Sequence, residues 1–347
     1  MSKTPYLPIF ELTRGETVES IHYGALAVVD ASGQLLASYG DDYAVTFLRS
    51  TSKPIQILPF VEAGGLQAYD ISPRELAVMC ASHSGTDEHV AVISGIQKKI
   101  GLYEDQLLCG THPPIHKDTA RELLLRGEEP TPIRHNCSGK HTGMLALATL
   151  KGWDTEDYIN PEHPVQQAII KTFAEMADLP VKKIALGTDG CSVPVFAVPL
   201  YNAALAFACL ADSSRLSEKR ALACRTITAA MMDNPDMVAG PERFDTRLME
   251  VGNGRIFCKG GAEGYQGIGV LPGNTGAPAL GIAFKISDGD AKSRARPAVA
   301  IEILHQLSVL TGDDLHALAD YGPRITVYNW RKLVVGKGYP VFTLSKN

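Results

Sequence analysis

The run Gly254-Arg255-Ile256-Phe257-Cys258-Lys259-Gly260-Gly261, then Tyr265-Gln266-Gly267-Ile268-Gly269-Val270-Leu271, then Ala279-Leu280-Gly281-Ile282-Ala283-Phe284-Lys285-Ile286, reads as three consecutive strands. A second strand signal stands near the other end of the chain. Residues 23–30 and 35–39 flank the turn Asp30-Ala31-Ser32-Gly33-Gln34, which marks a hairpin. From about residue 50 to 240 the signals are helical, and a further helix is expected over 296–310. Strands at both ends around a helical block predict an α+β fold: one antiparallel sheet assembled from both chain ends, with a mainly helical block inserted. The division expected is 1–49 plus 240–347 for the sheet part and 50–239 for the helical part.

Within the block, Arg49-Ser50-Thr51-Ser52-Lys53-Pro54 opens a helix that Pro59 would kink and Gly64-Gly65 would end. Pro54 fits a first turn, where its missing N–H is harmless, and Ser50 and Lys53 three positions apart would share a face. Ser72-Pro73-Arg74-Glu75 is a serine cap with proline at the first helical position; its helix leads into Cys80-Ala81-Ser82-His83-Ser84-Gly85. Helices are also expected over 87–102, 119–126, 163–179 and 217–232.

With 347 residues, the chain is long enough for one composite domain or two. A net charge of −5 and the absence of any basic run argue against a nucleic-acid or anionic-membrane surface, so a small-molecule substrate is expected. Residues 1–20 contain Pro5 and Pro8 and no continuous apolar core, so no export or transit signal is read and a cytoplasmic location is expected. Seven cysteines, at 80, 109, 137, 191, 209, 224 and 258, are an odd number and are expected to be reduced. The apolar stretch 193–211 has the length of a membrane span, but Pro194, Pro199, Tyr201 and Asn202 interrupt it, so a buried element is expected.

Reactive side chains gather in Arg49 to Pro54, Cys80 to Gly85, Arg134-His135-Asn136-Cys137-Ser138-Gly139-Lys140-His141, Thr188-Asp189-Gly190-Cys191-Ser192 and Lys259-Gly260-Gly261. An S-x-x-K serine, a second serine in a helical block and a K-x-G on a late strand, in that order, resemble serine β-lactamases and penicillin-binding proteins. Ser82-His83-Ser84 is no S-D-N, however, and Gly260 stands where that pattern has a hydroxyl residue. The phrases LRSTSKPIQ, CASHSG, RHNCSGKHTGML, GTDGCSVP and CKGGAEG, in this order, more closely resemble the Rhizobium etli-type (class 3) L-asparaginases. That resemblance implies a serine amidohydrolase with a β-lactamase-like fold. It implies two Ser-Lys tandems, Ser50 with Lys53 and Ser82 with Lys259. It also implies zinc on Cys137, Lys140 and Cys191 with Asp189 close by, L-asparagine as substrate, and a homodimer.

The chemistry makes its own demands. Serine attacks an amide only if a base takes its proton, and a lysine near its ordinary pKa of about 10.4 is charged at neutral pH. Burial and neighbouring cations can lower it, and Arg49 and the second lysine are the available cations. Ser50 is read as nucleophile with Lys53 as base, Ser82 and Lys259 as proton relay; which serine is acylated stays open. Backbone N–H groups at the Ser50 helix start and near Gly260-Gly261 are candidate oxyanion donors. Arg49 or the metal region, with Asp189, would hold the α-carboxylate or α-ammonium group of the substrate. Each assignment has a plainer counterpart: a capping serine with a solvated lysine, a lysine ending an exposed strand, and two buried free thiols, with His135 and His141 as alternative metal ligands. A β-lactamase or peptidase-like hydrolase, or a non-catalytic zinc protein on the same fold, are the rival readings.

Overall fold

The computed structural model describes residues 5–273 and 277–347; residues 1–4 of the N-terminal stretch and 274–276 lie outside it. The strands are β1 (Leu7–Arg14), β2 (Thr17–Asp30), β3 (Leu35–Tyr39), β4 (Val45–Phe47), β5 (Ala185–Thr188), β6 (Pro194–Pro199), β7 (Ile256–Gly260), β8 (Tyr265–Val270), β9 (Leu280–Ile286), β10 (Ile325–Tyr328), β11 (Val334–Pro340) and β12 (Ser345–Lys346). The main sheet runs β10-β11-β1-β2-β9-β8-β7, with β3 and β12 paired beside β2. All its ladders are antiparallel, so the fold is mixed α and β around an antiparallel sheet drawn from both chain ends.

Strands β7, β8 and β9 are buried along nearly their whole length rather than alternately. Continuous burial requires cover on both faces. Helix Leu200–Ala211 packs on β2, β8 and β9, and helix Ala295–Gln306 packs on β1, β8 and β11. The first of these is rich in alanine and comes very close: a Cβ at Gly281 would stand 1.9 Å from the Ala204 carbonyl oxygen. Only glycine fits that contact. The apolar stretch 193–211 is thus strand β6 followed by this helix, the two separated at Pro199. Among the described residues no helix is long and apolar enough to cross a membrane.

Several helices follow their local signals. Ser72 and Glu75 form a reciprocal capping box at the start of helix Pro73–Met79. Thr86 caps Asp87–Ile100, which ends at Gly101 with a left-handed φ of 77°. Helices Lys117–Arg126, Pro164–Met176 and Glu218–Asp233 lie where the sequence places them.

Elsewhere the structure differs. The helix expected from Ser50 is a 3-10 turn, Arg49–Ser52, followed by the short helices Lys53–Gln56 and Leu58–Glu62. Pro59 cannot donate the N–H that would join the two, and the chain winds one further turn, Gly65–Ala68, after Gly64. Ser50 therefore lies inside a 3-10 turn and makes no cap. The segment around Lys140, for which no helix was expected, is the first turn of a long buried helix, Ser138–Lys151. The block 50–239 also contributes β5 and β6, which join β4 in a three-stranded sheet.

Candidate active site

Ser50 enters on a strained turn. Arg49 before it has a φ of 53°, a left-handed value rare for a branched or long side chain. An ion pair holds that residue, Arg49 Nε to Asp189 Oδ1 at 2.7 Å. The Ser52 hydroxyl bonds the Arg49 carbonyl at 3.0 Å from the other side. The hydroxyl of Ser50 makes no hydrogen bond with the described residues and is partly exposed, lining a cavity of about 300 Å³. Ser82, Asn136, Arg243, Glu263 and Arg296 line the same cavity, as do Gly260 and Gly261. A larger surface hollow beside Leu76 and Arg225 holds no such set of reactive groups.

Lys53 points away from solvent, with only 1% of its surface exposed. Its Nζ donates to Ser82 Oγ at 2.9 Å, to the Asn136 carbonyl at 3.3 Å and to the Ala81 carbonyl. Three acceptors match the three protons of an ammonium group. The lysine of the S-x-x-K pair thus bonds the second serine, not Ser50. Ser82 is held from the backbone side, its N–H donating to the Val238 carbonyl at 3.0 Å.

Lys259 lies one residue before the end of strand β7, which packs against the Ser50 turn: Thr51 Oγ1 bonds the Lys259 carbonyl at 3.1 Å. It is no exposed strand end, being 1% exposed. Among the described residues its amine has one acceptor, the Gly260 carbonyl at 2.7 Å. Burial lowers its pKa to about 7, with Lys53, Arg243 and Arg296 acting in the same direction against Asp245.

Asp245 is buried and accepts from the Gly260 N–H at 2.6 Å and from Gln266 Nε2 at 3.2 Å. Burial alone would raise its pKa, but Arg296, Lys259 and the Gly260 N–H outweigh it and keep the carboxylate charged. Gly261 N–H bonds the Tyr265 carbonyl at 2.9 Å. Both glycine N–H groups expected to face an oxyanion are therefore already bonded within the fold. The Ser50 N–H, in a first turn with no helical carbonyl to reach, is the donor nearest the Ser50 hydroxyl.

Across the Arg49–Asp189 pair lie the two cysteines. Cys137 and Cys191 are buried with their thiols in hydrogen-bond reach, and Lys140 Nζ is 3.0 Å from Cys191 Sγ. The bond with Cys191 holds the Cys137 thiol well below its ordinary range, while that same bond and burial push Cys191 up. Lys140 is raised, because Cys191, Cys137 and Asp189 overcome its burial. Two soft sulfur donors and an amine suit zinc chemically. Among the described residues no three His, Cys, Asp or Glu side chains are grouped to hold a metal, so Lys140 is needed as the third donor. His141 turns to the Tyr158 hydroxyl at 2.7 Å, and His135 Nδ1 accepts from the Cys137 N–H. Asn136 joins the two regions, its carbonyl taking Lys53 and its Oδ1 the Cys137 thiol at 3.2 Å.

The profile of the L-asparaginase II family matches residues 10–339. The chain belongs to that family. It is accordingly an amidohydrolase. No curated protein matches the sequence. Among solved structures, this family member shows distant likenesses to a probable glutaminase from Bacillus subtilis complexed with 6-diazo-5-oxo-L-norleucine, at 13% identity over 82% of this chain and 84% of that one, TM-score 0.41. Similar values hold for Bacillus glutaminase in the presence of 4.3M NaCl (13% identity, 82% and 91%, TM-score 0.40) and for Mglu in its native form (14%, 84% and 66%, TM-score 0.44). Likenesses at this level assign nothing to the asparaginase II site.

Arg243, Asp245, Gln266 and Arg296 were not singled out by the sequence. The signal available was Gly240, with a φ of 121° and no room for a Cβ beside Ser84, which brings the following loop onto the Cys80 to Gly85 segment.

Proposed function

We propose that the chain is an L-asparaginase of the Rhizobium etli type on a serine β-lactamase-like scaffold, hydrolysing the side-chain amide of L-asparagine to L-aspartate and ammonia. The observation that carries this reading is the Lys53–Ser82 contact at 2.9 Å beside a cavity that Ser50 also lines. Ser50, with a free hydroxyl on a strained turn, attacks the amide carbon and forms an acyl-serine. Lys259, with a pKa of about 7, is half neutral where the enzyme works and takes the proton. Lys53 holds Ser82 in place; Ser82 passes its proton to the departing amide nitrogen, which leaves as ammonia, and takes a proton from Lys53 in turn. The Ser50 N–H stabilises the oxyanion. Water then releases aspartate by the same proton transfers in reverse. This reading moves the base from Lys53 to Lys259, because the acceptors around Lys53 suit a charged amine.

Zinc belongs to the proposal, with Cys137, Lys140 and Cys191 as the residues that would hold it. When bound, it would supply positive charge and Lewis acidity next to the Arg49–Asp189 pair. Asn136 and Asp189, each touching both regions, keep the thiol pair and the serine pair in register. The two-part division of the chain, the cytoplasmic location and the homodimer are part of the same reading; light scattering on purified protein tests the last. Ammonia release from L-asparagine, beside L-glutamine and a penicillin as competitors, tests the activity. Absence of ammonia from asparagine would refute it, and penicillin hydrolysis would favour the rival hydrolase.

A further inference from the structure

We infer that Arg243 recognises the α-carboxylate of the substrate, so that the cavity selects amides of α-amino acids over simple amides. The inference rests on the amidohydrolase reading above and narrows its substrate class.

Three arginines stand near the serines, and two have partners of their own. Arg49 is paired with Asp189 at 2.7 Å. Arg296 bonds Gln266 Oε1, stands 3.5 Å from Asp245 and lies over the Phe244 ring. Arg243 lines the cavity together with Ser50 and Ser82, yet among the described residues no carboxylate reaches it within ion-pair distance. Its one side-chain bond runs to Ser84 Oγ at 3.4 Å. Ser84 gives its own proton to the Ala239 carbonyl at 2.7 Å, which leaves its oxygen free to accept from Arg243.

The loop before Arg243 is built to deliver it. Gly240 takes a φ of 121° where a Cβ would meet Ser84 Oγ at 2.5 Å, and Glu242 also has a left-handed φ of 58°. Burial disfavours the charged guanidinium here, and a desolvated cation without an anion is unfavourable until a ligand supplies one. The other carboxylates of the cavity wall do not supply it. Asp290 accepts the N–H groups of Arg294, Ala295 and Arg296 at a helix start, and Glu263 is exposed at the rim. A guanidinium presents a planar fork that a carboxylate matches with two parallel bonds. A cavity of about 300 Å³ accommodates a small amino acid.

The test compares L-asparagine with β-alaninamide, the same amide without the carboxylate, in wild type, Arg243→Gln and Arg243→Lys, with thermal melts on each protein. The ratio of kcat/KM values for the two amides is expected to fall by roughly 10- to 100-fold in Arg243→Gln, chiefly through the KM for asparagine, with Arg243→Lys between the two. A folded Arg243→Gln with the wild-type ratio overturns the inference. Should that variant fail to fold, Arg243→Lys decides by the same ratio. A wild type inactive on both amides refutes the proposed activity instead. Calorimetric binding of L-aspartate to wild type and Arg243→Lys then decides about the carboxylate: weaker binding to the variant supports it, and equal binding defeats it.

Discussion

Lys53 and Ser82, 29 positions apart in the chain, meet with Nζ 2.9 Å from Oγ in a spot where the lysine is 1% and the serine 7% exposed. The expected partner of Lys53, Ser50, lies in the 3-10 turn just before it, its hydroxyl unbonded among the described residues. The two serines thus differ in kind: one takes a bond from a buried lysine amine, and the other makes no hydrogen bond with the described residues.

That difference predicts unequal losses. Ser50→Ala is expected to lower kcat by at least about a thousandfold, since no other oxygen accepts the acyl group. Ser82→Ala, which removes one of three acceptors of Lys53, is expected to lose roughly 10- to 100-fold. Steady-state ammonia release measures both, and a deeper loss in the Ser82 variant would move the acyl group there.

Lys53→Arg is expected to be as damaging as Lys53→Ala. A planar guanidinium cannot put three donors where the Ala81 carbonyl, Ser82 Oγ and the Asn136 carbonyl now converge on one nitrogen. Appreciable turnover in the arginine variant would show that charge alone suffices at this position.

Lys259 is expected to govern the pH profile. With a pKa of about 7, kcat/KM should rise through neutrality and level off above about pH 8, and Lys259→Arg should abolish turnover. Stability follows the same group. Its folded pKa lies below the ordinary lysine value, so the unfolded chain binds the extra proton between about 7 and 10.5 and stability rises with pH across that window. Lys259→Met should therefore gain melting temperature over wild type at pH 6 and lose that advantage toward pH 10. A pH-independent difference between the two melts would contradict a depressed pKa.

Gly281→Ala tests the packing. A methyl at 1.9 Å from the Ala204 carbonyl oxygen and 2.3 Å from the Ala208 nitrogen forces the helix off the sheet. Overpacking of this kind costs about 3 kcal/mol, readable by urea denaturation. A change under about 0.5 kcal/mol would mean that the helix shifts without penalty.

Cys137→Ala is expected to lose stoichiometric zinc and weaken asparagine binding while turnover persists at saturating substrate. Elemental analysis and kinetics on the same preparation check this. Zinc-free wild type from zinc-supplemented expression would defeat the metal assignment, whereas complete, restorable loss of turnover on stripping would give the metal a part in the chemistry.

What the sequence made legible was mostly local. Ser72 and Glu75 announce their helix because the cap is written within four residues, and the strands β7, β8 and β9 stand out as apolar runs between glycines. Helix Ser138–Lys151 was hidden because Gly139 and Gly143 imitate a loop. They are there for close approach, since a Cβ at Gly139 would stand 2.1 Å from the Val78 carbonyl oxygen. Strands β10 and β11 escaped notice although they form a local hairpin, because they are mostly exposed and carry no long apolar run, and β1 meets β11 only across the length of the chain. Arg243 and Asp245 carry no motif; they matter only because the chain folds back there. The pairing of Lys53 with Ser82 was likewise invisible to spacing, which places Lys53 beside Ser50.

The bond from Thr51 to the Lys259 carbonyl spans 208 positions. During synthesis, both serines and Lys53 leave the ribosome well before β7 exists, and β7 has no ladder until β8 pairs with it. A nascent chain therefore carries Ser50 for most of its emergence without Lys259, the amine proposed to activate it. On the proposed mechanism, products of premature termination before residue 256 are expected to release no ammonia, and activity is expected only once the last strands join the sheet.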